Sequence, residues 1–184
     1  MTNSAVLKNT GVSVKKQTVV ALIAIVAAVA LPQCVHVMGS MSGLGTALGE
    51  VFLPMHLPVL LAGLVAGSYA GAFTGLLSPL ISFALTGMPS AVMLPFMIIE
   101  LFSYGLIAGL LRNSKMPCIA KVLTAQVGGR VVRAVAILMS VYAFGNTAIS
   151  TAVILGSIAT GIFGLVLQWT IIPLVMYRLN NSEK

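Results

Sequence analysis

Acidic residues are almost missing from this chain: its 184 residues include three Asp and Glu together, at Glu50, Glu100 and Glu183, against ten Lys and Arg. Charged residues of both signs make up only 7% of it, where a soluble domain carries about 25%. A chain so poor in charge cannot cover itself with polar surface, which excludes an ordinary soluble fold. Cysteine is also scarce: Cys34 and Cys118 stand in different segments, without the close spacing of a metal or redox pair. No GxxxxGK[ST] phosphate loop, HExxH or GxSxG occurs, and His36 and His56 have no nucleophile partner, so nothing points to nucleotide hydrolysis or other catalysis, and no cofactor or metal is called for.

What is present is apolar. Hydrophobic residues make up 59% of the chain, in successive runs of the length that suits membrane-spanning helices. The net charge of +7 does not suggest nucleic acid, because the basic residues sit mostly at the ends of apolar runs and are not interleaved with aromatics. The pattern predicts an all-α integral membrane protein: a six-helix transmembrane bundle with cytoplasmic N- and C-termini. Residues 1–16 read as a basic cytoplasmic tail, 17–178 as the membrane domain and 179–184 as a second tail. The spans are expected at about 17 to 31 (continuing past Pro32), 54 to 66, 70 to 85, 90 to 111, 122 to 144 and 148 to 177. A cleavable signal peptide ending at Ala28-Val29-Ala30 competes for the first of these.

Gly39, Gly43, Gly45 and Gly49, with Ser40, Ser42 and Thr46, read as a long extracellular loop between the first two spans. Pro58 predicts a kink or an incomplete crossing in the second span, and a tight turn at Gly67-Ser68 follows it. The positive-inside rule supports this topology, since eight of the ten Lys and Arg residues fall in the segments assigned to the cytoplasm. The exceptions are Arg130 and Arg133, inside the fifth span.

Those two arginines and Glu100 carry the candidate chemistry. An ionised group at membrane depth costs about 2.5 to 3.5 kcal/mol on insertion scales, so it turns to the bundle interior or a wet cavity. Glu100 lies 12 residues before Arg112 and Arg133 lies 12 after Lys121, about 18 Å in from the same side at roughly 1.5 Å per residue. The antiparallel spans four and five can therefore pair Glu100 with Arg133 or Arg130. A purely structural pair is one reading. The other starts from the surplus arginine, whose guanidinium fork suits an anionic or carbonyl-bearing ligand, with snorkelling of Arg130 toward the surface as its rival. His56, between Pro54 and Pro58 in a lip that re-enters the membrane, is a further ligand contact or a histidine held by a neighbouring carbonyl. Phe96 and Asn146 complete the candidate substrate contacts, and Glu50 reads as a solvated acid. Small residues at four-residue spacing (Ala24 and Ala28; Gly67, Gly71 and Gly75; Gly105 and Gly109) serve close helix packing or a docking face.

The segments LPMHLPVLLAGLVAG (53–67), LPFMIIELFSYGLIAGLLR (94–112) and GGRVVRAVA (128–136), together with the six short spans and the basic tail, resemble the substrate-binding S component of an energy-coupling factor (ECF) vitamin transporter over about residues 18 to 178. The resemblance implies a subunit that binds a water-soluble vitamin or related micronutrient from outside and topples in the membrane to release it. Its pocket would be formed largely by the last three spans and capped by outer loops. A membrane-embedded coupling protein and two cytoplasmic ATPases would supply the energy, in a prokaryotic plasma membrane. It also implies that Ala24 and Ala28 meet the coupling protein, with Val20 one turn earlier. The LPMH stretch looks like a branch associated with pantothenate, pyrimidine or pyridoxine-type vitamins, and the surplus arginine leans toward the carboxylate of pantothenate. The alternatives are a stand-alone proton-coupled secondary transporter working through Glu100 and His56, or a membrane scaffold without transport.

Overall fold

A computed structural model describes residues 12–182, and all regular structure among them is helical. The helices are α1 (Val14–Met41), α2 (Ala47–Phe52), α3 (His56–Ala66), α4 (Ser68–Thr86), α5 (Leu94–Leu110), α6 (Cys118–Leu138, extended by a π-helical turn at Met139–Ala143), α7 (Ala152–Thr160) and α8 (Ile162–Ser182). Five stretches are long and apolar enough to cross a membrane: α1, α2 with α3 (Ala47–Ala66), α4, α6 with its π turn (Cys118–Ala143) and most of α8 (Ile162–Leu179). At 17 residues, α5 is a shorter apolar helix. Most of the N-terminal tail assigned from sequence, 1–11, lies outside the described residues, as do the last two residues of the C-terminal one.

Three boundaries differ from the sequence expectation, each for a local reason. Helix α1 runs through Pro32 and takes in Gly39 and Ser40, so the expected glycine-rich loop is shorter and partly helical. Gly39 stays helical because the chain folds back on it: Leu44 and Gly45 both donate to its carbonyl, at 2.9 and 3.0 Å, and a side chain at 39 would meet the Gly45 carbonyl. Pro58 does not kink its helix. It is the third residue of α3, where its missing N–H is one that a first turn leaves unpaired anyway. The interruption comes earlier, at Leu53, whose φ of 48° makes it the one non-glycine residue in the left-handed region among those described. The expected sixth span is interrupted at Gly161, which divides it into α7 and α8. Gly161 and Gly164 let the end of α2 lie against this region, because a side chain at either would meet Leu53 or the backbone of Val51 and Phe52.

The centre of the bundle is α5, packed against α3, α4 and α6. Its approach to α4 is set by glycine: a Cβ on Gly71, Gly75 or Gly105 would enter backbone of the facing helix, so these residues serve internal packing. Gly67, with φ 109°, makes the turn between α3 and α4. The main core joins Ala28, Val59, Leu60, Leu101, Tyr104 and Ile172, and a separate cluster of Phe96, Ile137 and Ile149 closes one end. Outward-facing Leu22, Ile23, Val26, Leu155 and Phe163 are largely exposed, as lipid-contacting side chains are.

Candidate functional site

The polar centre is assembled from two facing stripes. On α5, Phe96, Glu100 and Tyr104 recur every four residues and so share one face. On α6 the facing stripe carries Arg130, Arg133 and Ile137, and Gly129 makes room for the Tyr104 ring, which a side chain there would strike. Glu100 is only 1% exposed, yet both carboxylate oxygens are engaged. Arg133 donates from Nη1 to Oε2 at 2.9 Å, and the Tyr104 hydroxyl donates to Oε1 at 3.0 Å. An enclosed carboxylate needs such partners, since burying an unpaired charge is prohibitive.

Arg130 points the same way but finds less. Its Nη1 donates to the Ser157 carbonyl on α7 at a long 3.4 Å, and the same guanidinium meets the Tyr104 hydroxyl. The Nε atoms of Arg130 and Arg133 are both buried without a hydrogen-bond partner. Two permanently charged guanidiniums thus lie in a centre with one carboxylate, which pairs with Arg133. The contact with Ser157 turns Arg130 toward α7. His56, the first residue of α3 and 4% exposed, lies against this group, its ring centroid 5.4 Å from that of Tyr104 at 60°, with Nδ1 unpartnered. The lip at 53–55 therefore delivers His56 to the charged centre.

Phe96 and Asn146 lie elsewhere, on a cleft of about 370 Å³ at the end of the bundle away from Arg112 and Lys121, lined also by Val92, Pro95, Ser140 and Phe144. That volume is within the range of small-molecule pockets. Asn146 holds the turn there, donating to Ser140 Oγ at 3.0 Å and accepting from the Ala148 amide at 2.9 Å. The arginines border a separate void of about 20 Å³, closed by Ile137, Ile154, Ser157 and Ile158, with room for a water and nothing larger. The candidate residues thus form two groups, where the sequence reading joined them in one. Glu50 is exposed, on α2.

The alanines that the resemblance assigned to a partner subunit are covered by the chain's own helices in this structure. Ala24 is 9% and Ala28 0% exposed, and Ala28 packs with Met55, Val59 and Leu60 in the chain's own core. Their four-residue spacing is used by α3 and α4, which lie against that side of α1. Sequence reasoning also missed a buried amide network. Gln126 on α6 donates to Gln168 on α8 at 2.9 Å, Trp169 donates to Gln126 at 2.7 Å, and Gln168 donates to the Leu53 carbonyl at 3.3 Å. Its signal was available: Gln126 and Gln168 are glutamines inside apolar spans, and Gln126 precedes Arg130 by one turn.

No nucleophile is paired with a base in this centre. What it can do is bind, offering guanidinium and imidazole groups in a setting shielded from water. A comparison with curated proteins and one with solved structures each found no match. A family model described as "ECF transporter, substrate-specific component" matches residues 15–176, nearly the whole of the described chain. That family consists of substrate-binding subunits of micronutrient transporters, which work with membrane ECF components and are not enzymes. With its apolar helices and a family model that covers nearly its whole described length, this multi-pass membrane protein belongs to the substrate-specific components of ECF transporters.

Proposed function

We propose that this chain is the high-affinity capture subunit of an importer for a water-soluble vitamin carrying a negative charge, with pantothenate the leading candidate. The observation that carries the reading is the unbalanced charge of the buried centre: Arg133 is matched by Glu100, while Arg130 meets neutral oxygens, the Ser157 carbonyl and the Tyr104 hydroxyl. A carboxylate brought by the ligand supplies the missing charge and accepts from a guanidinium fork. His56, Glu100, Arg130 and Arg133 form the charged end of the site, and Phe96 and Asn146 line the cleft through which the ligand arrives from the extracellular side. In this reading six helices cross a prokaryotic plasma membrane with both termini in the cytoplasm, α5 being the short crossing. A membrane-embedded coupling protein and two cytoplasmic ATPases drive uptake.

Mass analysis of small molecules released from gently purified protein tests the reading, followed by binding of a broad vitamin panel. Pantothenate is expected to co-purify or to bind most tightly. Failure of every vitamin in the panel would sink the proposal, and transport by the chain alone in liposomes under a pH gradient would replace it with a stand-alone transporter.

A further inference from the structure

The void beside the arginines and the cleft at the end of the bundle are neighbours along α6. Ala136 lines the cleft and Arg133 lines the void, three residues and therefore about 4.5 Å of helix apart. Between them stands the apolar cluster of Phe96, Ile137 and Ile149, against which Val153 and Ile154 of α7 pack. A solute large enough to use both arginines does not fit the void as it stands, so something must move. Of the elements that close it, α6 is fixed by its packing on α5 and by the Gln126 network. Helix α7 is not comparably fixed. None of its nine residues is buried, it follows a non-helical stretch, and it ends at the interruption at Gly161. Its polar tie to the arginines is the long contact from Arg130 to the Ser157 carbonyl.

We propose that Arg130 and Arg133 form a subsite for an anionic oxygen group of a small solute, that the Ser157 carbonyl occupies Arg130 while the subsite is empty, and that α7 lifts from α6 to admit the solute from the cleft. A backbone carbonyl carries partial negative charge and accepts one hydrogen bond here. An incoming carboxylate or phosphate accepts several and brings a full charge, so it displaces the carbonyl in a direct exchange of acceptors on Arg130. Lifting α7 withdraws Ile154 from the apolar cluster and merges the two spaces. The proposal rests on the reading of this chain as a solute-binding subunit and adds the chemistry and the moving part.

The test uses Ile137→Cys in the full chain with Cys34 and Cys118 changed to serine. Ile137 is 0% exposed and borders the void beneath α7, so a fixed structure gives no reaction there. The probes are 2-sulfonatoethyl methanethiosulfonate, an anion, and its trimethylammonioethyl counterpart, a cation. With each rate taken relative to that reagent's rate with a free thiol in solution, the anion is expected to modify Cys at 137 while the protein stays folded, faster than the cation by about tenfold or more, the scale on which a charged cleft concentrates counter-ions. Arg130→Gln is expected to remove that preference. Ser157→Cys, which leaves the core intact, reads the same preference from α7. No modification at 137 in folded protein overturns the moving cover, and an anion rate so normalised that is no greater than the cation rate at both positions overturns the subsite. Slowing of the reaction by pantothenate assigns the site to a carboxylate, and slowing by pyridoxal 5′-phosphate to a phosphate. Because the labelling needs no vitamin, its outcome is independent of the vitamin panel.

Discussion

Glu100 and Arg133 are bound to each other by burial as much as by charge. Truncating one member of a buried pair leaves the other uncompensated, at a cost of about 3 to 5 kcal/mol. Glu100→Gln is therefore expected to lower the thermal stability of purified protein sharply. Glu100→Gln combined with Arg133→Gln should be less damaging than the two single effects added, the mark of direct coupling. Equal, additive losses would show that the 2.9 Å contact contributes little. Arg130→Gln separates binding from folding. Its partners are neutral oxygens and include no carboxylate, so stability should change little while affinity for the bound vitamin falls, as an equilibrium binding measurement with each variant would record.

Among the elements, glycine decides which helices approach closely. Gly105→Ala places a methyl group against the backbone of α4 and is expected to destabilise the bundle by about 1 to 3 kcal/mol. Gly156→Ala on α7 meets open space and should be neutral, or stabilise by about 0.5 to 1 kcal/mol through helix propensity. Thermal unfolding of the pair measures both, and similar losses would contradict the packing described. The Gln126–Gln168 network ties α6 and α8 to the interrupted backbone at Leu53, where a left-handed leucine costs on the order of 1 to 3 kcal/mol. Trp169 is the only tryptophan and donates to Gln126, so its fluorescence reports on this tie. Gln126→Leu is expected to shift that emission to the blue, and an unchanged spectrum would mean that the indole bond is not made.

For the whole molecule, the distribution of basic residues and the helical boundaries together predict an even number of crossings with both ends inside. A reporter fused after Lys184 and active only in the cytoplasm is expected to be active, and inactivity would reduce the count to the five longer helices. Helix α1 places its apolar Val19, Leu22, Ile23 and Val26 outward while Ala24 and Ala28 are covered. A partner docking on α1 in this conformation thus meets branched aliphatic side chains and not a small-residue face. Uptake by reconstituted vesicles should require the partner subunits.

The class of this protein was legible without coordinates, because the solvent preference of a side chain depends on its own chemistry. Too few charges to face water, runs of spanning length and basic residues at their ends leave a helical membrane bundle as the consistent outcome. The pairing of Glu100 with Arg133 was within reach for the same reason, since an ionised group in an apolar span must find a partner and helical rise sets the depth of each. Depth, however, says nothing of azimuth. That Arg130 turns to Ser157, that Ala28 faces inward, that Tyr104 shares the carboxylate through the space left by Gly129, and that Phe96 and Asn146 border a different cavity from the arginines all depend on how each helix is rotated against its neighbours. Local sequence carries little of that information, and the mutual packing of α3, α5, α6 and α7 decides it.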